Sequence, residues 1–265
     1  MRSLPACTPA CLNRSKVRSM FSFFKKTPAA PSDLSILRCD VHSHLIPGID
    51  DGSSDMETSV HLIRGLIALG YKKIITTPHI NADLFPNTPA IIRSGQIVVM
   101  EELQKLGIDV EFSAAAEYLM DEKFSRLLAA GEPLLALKDN LVLVELSFAV
   151  PAINLREILF DMQLKGYQPV LAHPERYLYF GANRKWYDEL RNAGCLFQLN
   201  LLSFSGYYGP QTRDIANYLV KKGYVEYLGS DLHHSKHLEQ LRTSPVIART
   251  VEKLTDSGLI RNMKL

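Results

Sequence analysis

From Ile36 onward the chain alternates short apolar, strand-like runs with longer amphipathic segments. The strand-like runs are Ile36 to Val41, Lys73 to Thr77, Val110 to Ala116, Leu141 to Leu146, Pro169 to Ala172, Leu196 to Leu199 and Val225 to Gly229. Helical spacing fills much of the remainder. Met56, Val60, Ile63, Leu66, Ile67 and Leu69 form one apolar face behind Ser54-Asp55-Met56-Glu57, which has the spacing of a capping box, and Gly70 stops the segment. Ala90 to Leu106 and Asn154 to Lys165 repeat the pattern and close on Gly107 and Gly166. Such alternation predicts βα units around parallel strands. Seven strand-like runs predict a closed or nearly closed α/β barrel with one unit fewer than the common eight. There is no internal repeat and no low-complexity segment.

Residues 1–34 break this pattern and read as a flexible, basic tail, interrupted by Pro5, Pro9, Pro28 and Pro31. The tail contains Met20-Phe21-Ser22-Phe23-Phe24-Lys25-Lys26, three Phe beside two Lys, a composition suited to touching an acidic membrane surface; a solvated tail, or a start at Met20, is the plainer reading. Residues 35–265 then form one catalytic domain. With 46% hydrophobic and 22% charged residues over 265 positions, a sizeable core is expected. A net charge of +2 without a basic stripe disfavours nucleic acid as a partner. Cys7, Cys11, Cys39 and Cys195 make no disulfide framework, no apolar run reaches the roughly 20 residues of a membrane helix, and no secretory signal is present. The expectation is a soluble cytoplasmic protein without stable membrane insertion, its oligomeric state open.

Metal-binding residue types gather just past the strand-like runs. His42 and His44 follow the first, spaced by two so that both imidazoles point to one side, with Asp40 on the same face to support a ligand. Pro47 to Gly52 carries Asp51 on a tight turn; His79, Glu117, Glu145 and His173 end later runs, and Asp231 and His233 repeat the spacing of two. A single histidine or carboxylate at a strand end is usually a polar cap, but five of the eight histidines share this placement. Glu145 ends the apolar run Leu141 to Val144, where a carboxylate is costly without a cation or hydrogen bonds. Three divalent ions against four ionised carboxylates would leave about +2, which suits a phosphate dianion and a hydroxide nucleophile. Arg176, three residues past His173, is placed to hold phosphate oxygens. Mixed His and carboxylate donors suit manganese, iron or zinc. A Cys-dependent phosphatase is excluded, because the position six residues after each Cys holds Asn13, Val17, Leu45 or Leu201 rather than Arg.

Asp40-Val41-His42-Ser43-His44, His79, Glu117, Glu145, His173 and Asp231-Leu232-His233 resemble the motifs of the polymerase-and-histidinol-phosphatase (PHP) superfamily. Within it, His42 to Gly52, Thr77-Pro78-His79 and His173-Pro174-Glu175-Arg176-Tyr177 resemble the bacterial capsule and exopolysaccharide tyrosine phosphatases, over about residues 36–245. The resemblance implies a distorted (β/α)7 TIM-like barrel with three metals at the C-terminal ends of its strands, manganese first, with iron, zinc or magnesium as alternatives. It also implies a first ion on His42, His44, Glu117 and Asp231, a second bridged by Glu117 and completed by Glu145 and His173, and a third on Asp51, His79 and His233. Where some relatives carry further basic residues, this chain has Ile80-Asn81-Ala82-Asp83 and His234-Ser235-Lys236-His237.

The expected activity is hydrolysis of protein phosphotyrosine, with Arg176 and Asp40 in the catalytic set and Arg176, Tyr177 and Tyr207 contacting substrate. Tyr179, Phe180, Phe204 and Tyr208 are weaker candidates for the same aromatic rim. The resemblance implies an autophosphorylating, membrane-associated tyrosine kinase as the phosphoprotein. The rival readings are a small-molecule phosphatase of the histidinol-phosphate type, a nuclease module, and a metal-stabilised binding module without activity. His61 and His237 read as ordinary polar residues, and His234 is open.

Overall fold

The computed structural model describes residues 32–150 and 152–265; the Phe and Lys motif at 20–26 lies outside them. Ser32 to Leu34, assigned to the tail by sequence, belong instead to the folded body. The backbone N–H of Ser32 donates to the carbonyl of Arg242 at 2.8 Å, that of Leu34 donates to Leu69, and Leu34 is buried.

The described residues form nine short strands: β1 (Cys39–Asp40), β2 (Lys73–Thr76), β3 (His79–Ile80), β4 (Glu111–Ala114), β5 (Glu117–Leu119), β6 (Leu141–Glu145), β7 (Gln168–Ala172), β8 (Leu196–Asn200) and β9 (Tyr227–Gly229). Ten α-helices accompany them: α1 (Met56–Ala68), α2 (Pro89–Lys105), α3 (Glu122–Ala130), α4 (Leu155–Leu164), α5 (Leu178–Gly181), α6 (Lys185–Asn192), α7 (Leu201–Ser205), α8 (Pro210–Lys222), α9 (Ser235–Thr243) and α10 (Pro245–Asp256). Every strand pairing is parallel. The strands fall into two sheets, ordered β1-β2-β4 and β3-β5-β6-β7-β8-β9, and the named ladders do not close into one ring. The division has a local cause. Pro78 has no N–H to donate, so β2 ends before it and the chain resumes as β3 beyond the second predicted run; past Ala115-Ala116, β5 likewise resumes beyond the third. Bonds from Ala115 N–H to Thr76 and from Glu117 N–H to Pro78 carry the two strands across the gap.

Side chains alternate across the strands, as the pleat requires. Val142 and Val144 of β6 and Leu171 of β7 join the large apolar cluster under the helices. Leu143, Val170 and Ala172, with Val41, Ile75, Ala115 and Tyr227, form a second cluster on the opposite face. Helix α1 starts one residue later than a Ser54 cap implies. Asp55 is the N-cap, its carboxylate accepting from Thr58 N–H at 2.8 Å, because an ionised acceptor serves the positive helix terminus better than a hydroxyl. Among the described residues no helix is long and apolar enough to cross a membrane, and Cys39 and Cys195 are buried free thiols.

Candidate metal centre

The strand ends deliver the nine candidate side chains to one place. His42 and His44 lie on the extension of β1, which runs beside the extension of β9: Asp231 N–H donates to the His42 carbonyl at 2.7 Å and His44 N–H to the Leu232 carbonyl at 3.0 Å. Two glycines permit the close approach. A Cβ on Gly229 would lie 2.7 Å from the His42 Cβ, and one on Gly52 only 2.3 Å from the His44 carbonyl oxygen. His79 and Glu117 open β3 and β5, and Glu145 ends β6. His173 and Asp231 each turn off their strands with positive φ, +36° and +49°, a conformation that costs non-glycine residues of order 1–3 kcal/mol. In His173 the following Pro174 disfavours the right-handed helical alternative. Strain at two of the nine positions shows that the surrounding structure fixes these side chains.

Their donor atoms interlock. The Glu117 carboxylate sits 3.2 Å from His42 Nε2, 3.5 Å from His44 Nε2, 3.2 Å from His79 Nδ1 and 3.0 Å from His173 Nε2. Asp231 Oδ1 faces His42, His44 and His233 at 3.4 to 3.6 Å, while Asp51 Oδ1 faces His79 and His233 at 3.4 and 3.5 Å. Glu145 reaches His79 Nδ1 at 3.0 Å. Four sets of atoms are compact enough to share an ion: His44, Asp51, His79 and His233; His42, His44 and Glu117; His42, His173 and Asp231; and His79, Glu117 and Glu145. His173 thus groups with His42 and Asp231, and Glu145 with His79, a different division from the one the family resemblance implies.

Tautomer logic shows that these donors fit cations. His42 Nδ1 faces the Gln198 carbonyl oxygen at 2.6 Å and His44 Nδ1 faces the Asp50 carboxylate at 2.8 Å, so each neutral ring carries its proton on Nδ1. Their Nε2 lone pairs then face each other at 3.2 Å, beside two carboxylates, with nothing to share but a cation. Buried His173 Nδ1 has no hydrogen-bond partner. The donor set, imidazole and carboxylate without sulfur, is that of a divalent first-row ion.

The clustered carboxylates favour positive charge on the imidazoles they face. Burial opposes protonation of His42, yet the Glu117 and Asp231 carboxylates overcome it and push the imidazole up to about 9. His79 and His233 also rise against burial, through Glu117 and Asp231 respectively. Burial opposes ionisation of Glu117, but His42 and His79 hold its carboxyl well below the usual range. Hydrogen bonds from His233 and His79 hold Asp51 low, and Asp231 is low despite burial, through His42, His233 and Arg176.

A family described as capsular polysaccharide synthesis, CpsB/CapC, matches residues 38–259. The chain belongs to this family. It is 31% identical over 198 residues to the tyrosine-protein phosphatase YwqE of Bacillus subtilis, covering 74% of this chain and 78% of that protein. To the tyrosine-protein phosphatase CpsB of Streptococcus pneumoniae it is 27% identical over 205 residues, 74% of this chain and 82% of that one. A solved chain from the structures of those two proteins, described as metal-dependent tyrosine phosphatases, superposes with a TM-score of 0.70 at 29% identity, covering 84% of this chain and 94% of its own. A histidinol phosphate phosphatase from Lactococcus lactis shares the fold, with a TM-score of 0.51 at 15% identity over 82% of this chain and 93% of its own.

Within this CpsB/CapC chain, Asp51, His79, Glu145, His173, Asp231 and His233 line a cavity of ≈ 240 Å³ together with Phe148, Arg176, Tyr208, His234 and His237. Arg176 Nη1 donates to Asp231 Oδ2 at 2.8 Å. Three expectations require correction. Asp40 is fully buried and is not among the cavity residues, accepting from Ser230 N–H at 2.9 Å and Ser230 Oγ–H at 2.8 Å; it braces the β9 extension instead of a ligand. Tyr177 is buried with its hydroxyl accepting from Leu146 N–H, because the 3-10 turn at Pro174–Arg176 sends it inward. Tyr207 packs its edge on His237 and is not among the cavity residues, whereas the neighbouring Tyr208 is. His237, read as an ordinary polar residue, lines the cavity, and burial brings its imidazole down to about 4. Sequence reasoning missed Gln198, Asp50 and Phe148. A glutamine amid the apolar Leu196-Phe197 and Leu199, and the acid preceding Asp51, were the available signals for the first two.

Proposed function

We propose that this chain is a metal-dependent protein-tyrosine phosphatase. One observation carries the reading: nine imidazole and carboxylate side chains converge, and Arg176, anchored on Asp231 Oδ2, faces the same cavity. The names of its relatives give the reaction and the leaving group. We assign His42, His44, Asp51, His79, Glu117, Glu145, His173, Asp231 and His233 as ligands of three divalent ions, manganese first. The two sheets are read as parts of an irregular seven-unit barrel, supported by the separate apolar cluster of Leu143, Val170 and Ala172. The phosphoprotein is read as an autophosphorylated tyrosine kinase of capsule export, in keeping with the family description.

Bound divalent ions would supply Lewis-acid polarisation of phosphoryl oxygens and lower the pKa of a water. The protein's own groups do the rest. Arg176 presents its guanidinium to phosphate oxygens, fixed by Asp231 below and by the rings of Phe148 and Tyr208, 4.7 and 4.3 Å from its carbon. Asn200 Nδ2 donates to the same Asp231 oxygen at 2.8 Å, so the carboxylate keeps its orientation when Arg176 turns to substrate. A tyrosine leaving group, with a pKa of about 10, places little demand on a general acid.

The test offers the manganese-loaded protein a phosphotyrosine peptide, histidinol phosphate and single-stranded DNA. Turnover of the peptide in preference to the others is expected, with large losses in His42→Ala and His173→Ala. Arg176→Ala should lose activity while retaining its metals, since Asn200 still holds Asp231. An untouched peptide, or full activity in both histidine variants, would refute the reading; loss of metal from Arg176→Ala would make Arg176 a structural residue.

A further inference from the structure

We propose that Phe148 is a specificity-determining residue that favours aryl over alkyl phosphate monoesters by offering one face of its ring to the substrate's aromatic group. The inference rests on the phosphatase reading above and extends it to the ester side of the phosphate.

Phe148 lies on the loop between β6 and α4, three residues past Glu145. Its ring contacts three residues of the candidate site. It stacks on His173 at 5.7 Å with 24° between planes, lies 4.7 Å from the Arg176 guanidinium carbon, and tilts against Tyr177 at 5.5 Å. Yet 51% of Phe148 remains exposed. Apolar packing alone does not account for a phenyl ring held at the mouth of a charged cavity with half its surface open. Tyr208, whose ring centre is 4.3 Å from the same guanidinium carbon, is held in place by Asn200, whose amide donates to its hydroxyl at 3.2 Å. The phosphate-holding group therefore lies against two rings, of which Tyr208 is the more enclosed and Phe148 the more open. Arg176 and the exposed Phe148 ring line the same cavity, so an ester group on a phosphate held by Arg176 would come within reach of that ring. An aryl group on that oxygen can take an offset-stacked position on the ring; a short alkyl group has no face to offer.

Calorimetric titration of the manganese-loaded protein with phenylphosphonate and methylphosphonate separates the ring from the anion, because neither ligand is hydrolysed. Wild type is expected to prefer the phenyl ligand. Phe148→Ala and Phe148→Leu should each reduce that preference by roughly five-fold, the value of one aromatic pair, with bound metal unchanged; loss of the contact with Arg176 weakens both ligands alike and leaves their ratio as it was. Leucine keeps the apolar cover without the ring face, so the two variants should agree. The proposal is overturned if wild type shows no phenyl preference, if the preference survives in Phe148→Ala, or if both ligands weaken equally, which would make Phe148 a support for Arg176 or His173. Turnover of a phosphotyrosine peptide by wild type is measured in parallel: its absence overturns the phosphatase reading, whereas intact turnover with an unchanged preference overturns only the role of Phe148.

Discussion

Asp50→Ala should loosen the centre from behind while leaving every proposed ligand in place. Asp50 Oδ2 accepts from His44 Nδ1 at 2.8 Å and from the His79 backbone N–H at 3.1 Å, and Oδ1 accepts from Gly52 N–H at 3.0 Å. One buried carboxylate therefore sets the His44 tautomer, the position of His79 and the turn that carries Asp51. Burial opposes its ionisation, yet His44 holds it below the usual carboxylate range, so it acts as an anion. The charge-assisted bond is worth about 1.5–3 kcal/mol and each neutral one about 1 kcal/mol, and partners of ligating histidines typically change metal affinity by roughly ten- to a hundred-fold. Asp50→Ala is accordingly expected to weaken manganese binding about a hundred-fold, or about 2.7 kcal/mol, and to destabilise the metal-free protein by about 3 kcal/mol. Asp50→Asn should lose only about ten-fold, because its amide keeps one acceptor oxygen but turns a donor toward either Gly52 N–H or the histidine pair. Competition against a chelator gives the affinities, and urea unfolding in chelator gives the stabilities. If Asp50→Ala bound manganese as tightly as wild type, then either His44 would not be a ligand or its orientation would not depend on Nδ1, and His44→Ala would tell these apart.

Gln198→Leu removes the acceptor opposite His42 Nδ1 at 2.6 Å and should cost about ten-fold in metal affinity; Gln198→Glu should restore it, and equal affinities for all three proteins would contradict the assignment. Gly52→Ala places a methyl 2.3 Å from the His44 carbonyl oxygen and should destabilise by about 3 kcal/mol, with less metal bound per chain by elemental analysis. Asp40→Asn should alter the pH dependence of stability. Burial pushes the Asp40 carboxyl up to about 6 from 3.8, so it favours the folded state at low pH, and that contribution fades as pH rises from about 4 to about 6. In metal-free protein the asparagine variant should therefore gain on wild type by about 3 kcal/mol across this window. A pH-independent difference in urea unfolding would rule this out.

The strand ends were legible in the sequence because ligand chemistry admits few residue types and the strands are short, apolar and evenly punctuated. His42 and His44 could be paired from a spacing of two alone. The residues that set their tautomers could not be read in this way. Gln198 lies 156 positions from His42 on a strand of the other sheet, and they meet because the extension of β1 runs beside that of β9, the neighbour of β8. Asp40 misled because its place on the His42 face says nothing about Ser230, which captures both of its oxygens from the β9 extension. Tyr177 misled for a related reason: adjacency to Arg176 implies the same access to substrate, but Tyr177 is buried with its hydroxyl on Leu146 N–H while Arg176 lines the cavity. The capping shift from Ser54 to Asp55 is smaller and follows from acceptor strength.

Asp231 joins the two halves of the proposed chemistry. Its Oδ1 faces His42, His44 and His233, the side where ions would be held, while its Oδ2 takes Arg176 and Asn200. Occupancy of the ligand cluster and the position of the phosphate-holding guanidinium therefore depend on one carboxylate, held in a strained backbone conformation at φ +49°. A flexible residue there would let Arg176 pull the carboxylate from the ion side. The constrained backbone and the second donor from Asn200 prevent this, so the anion-binding arginine can exchange its protein partner for substrate without dismantling the centre it serves.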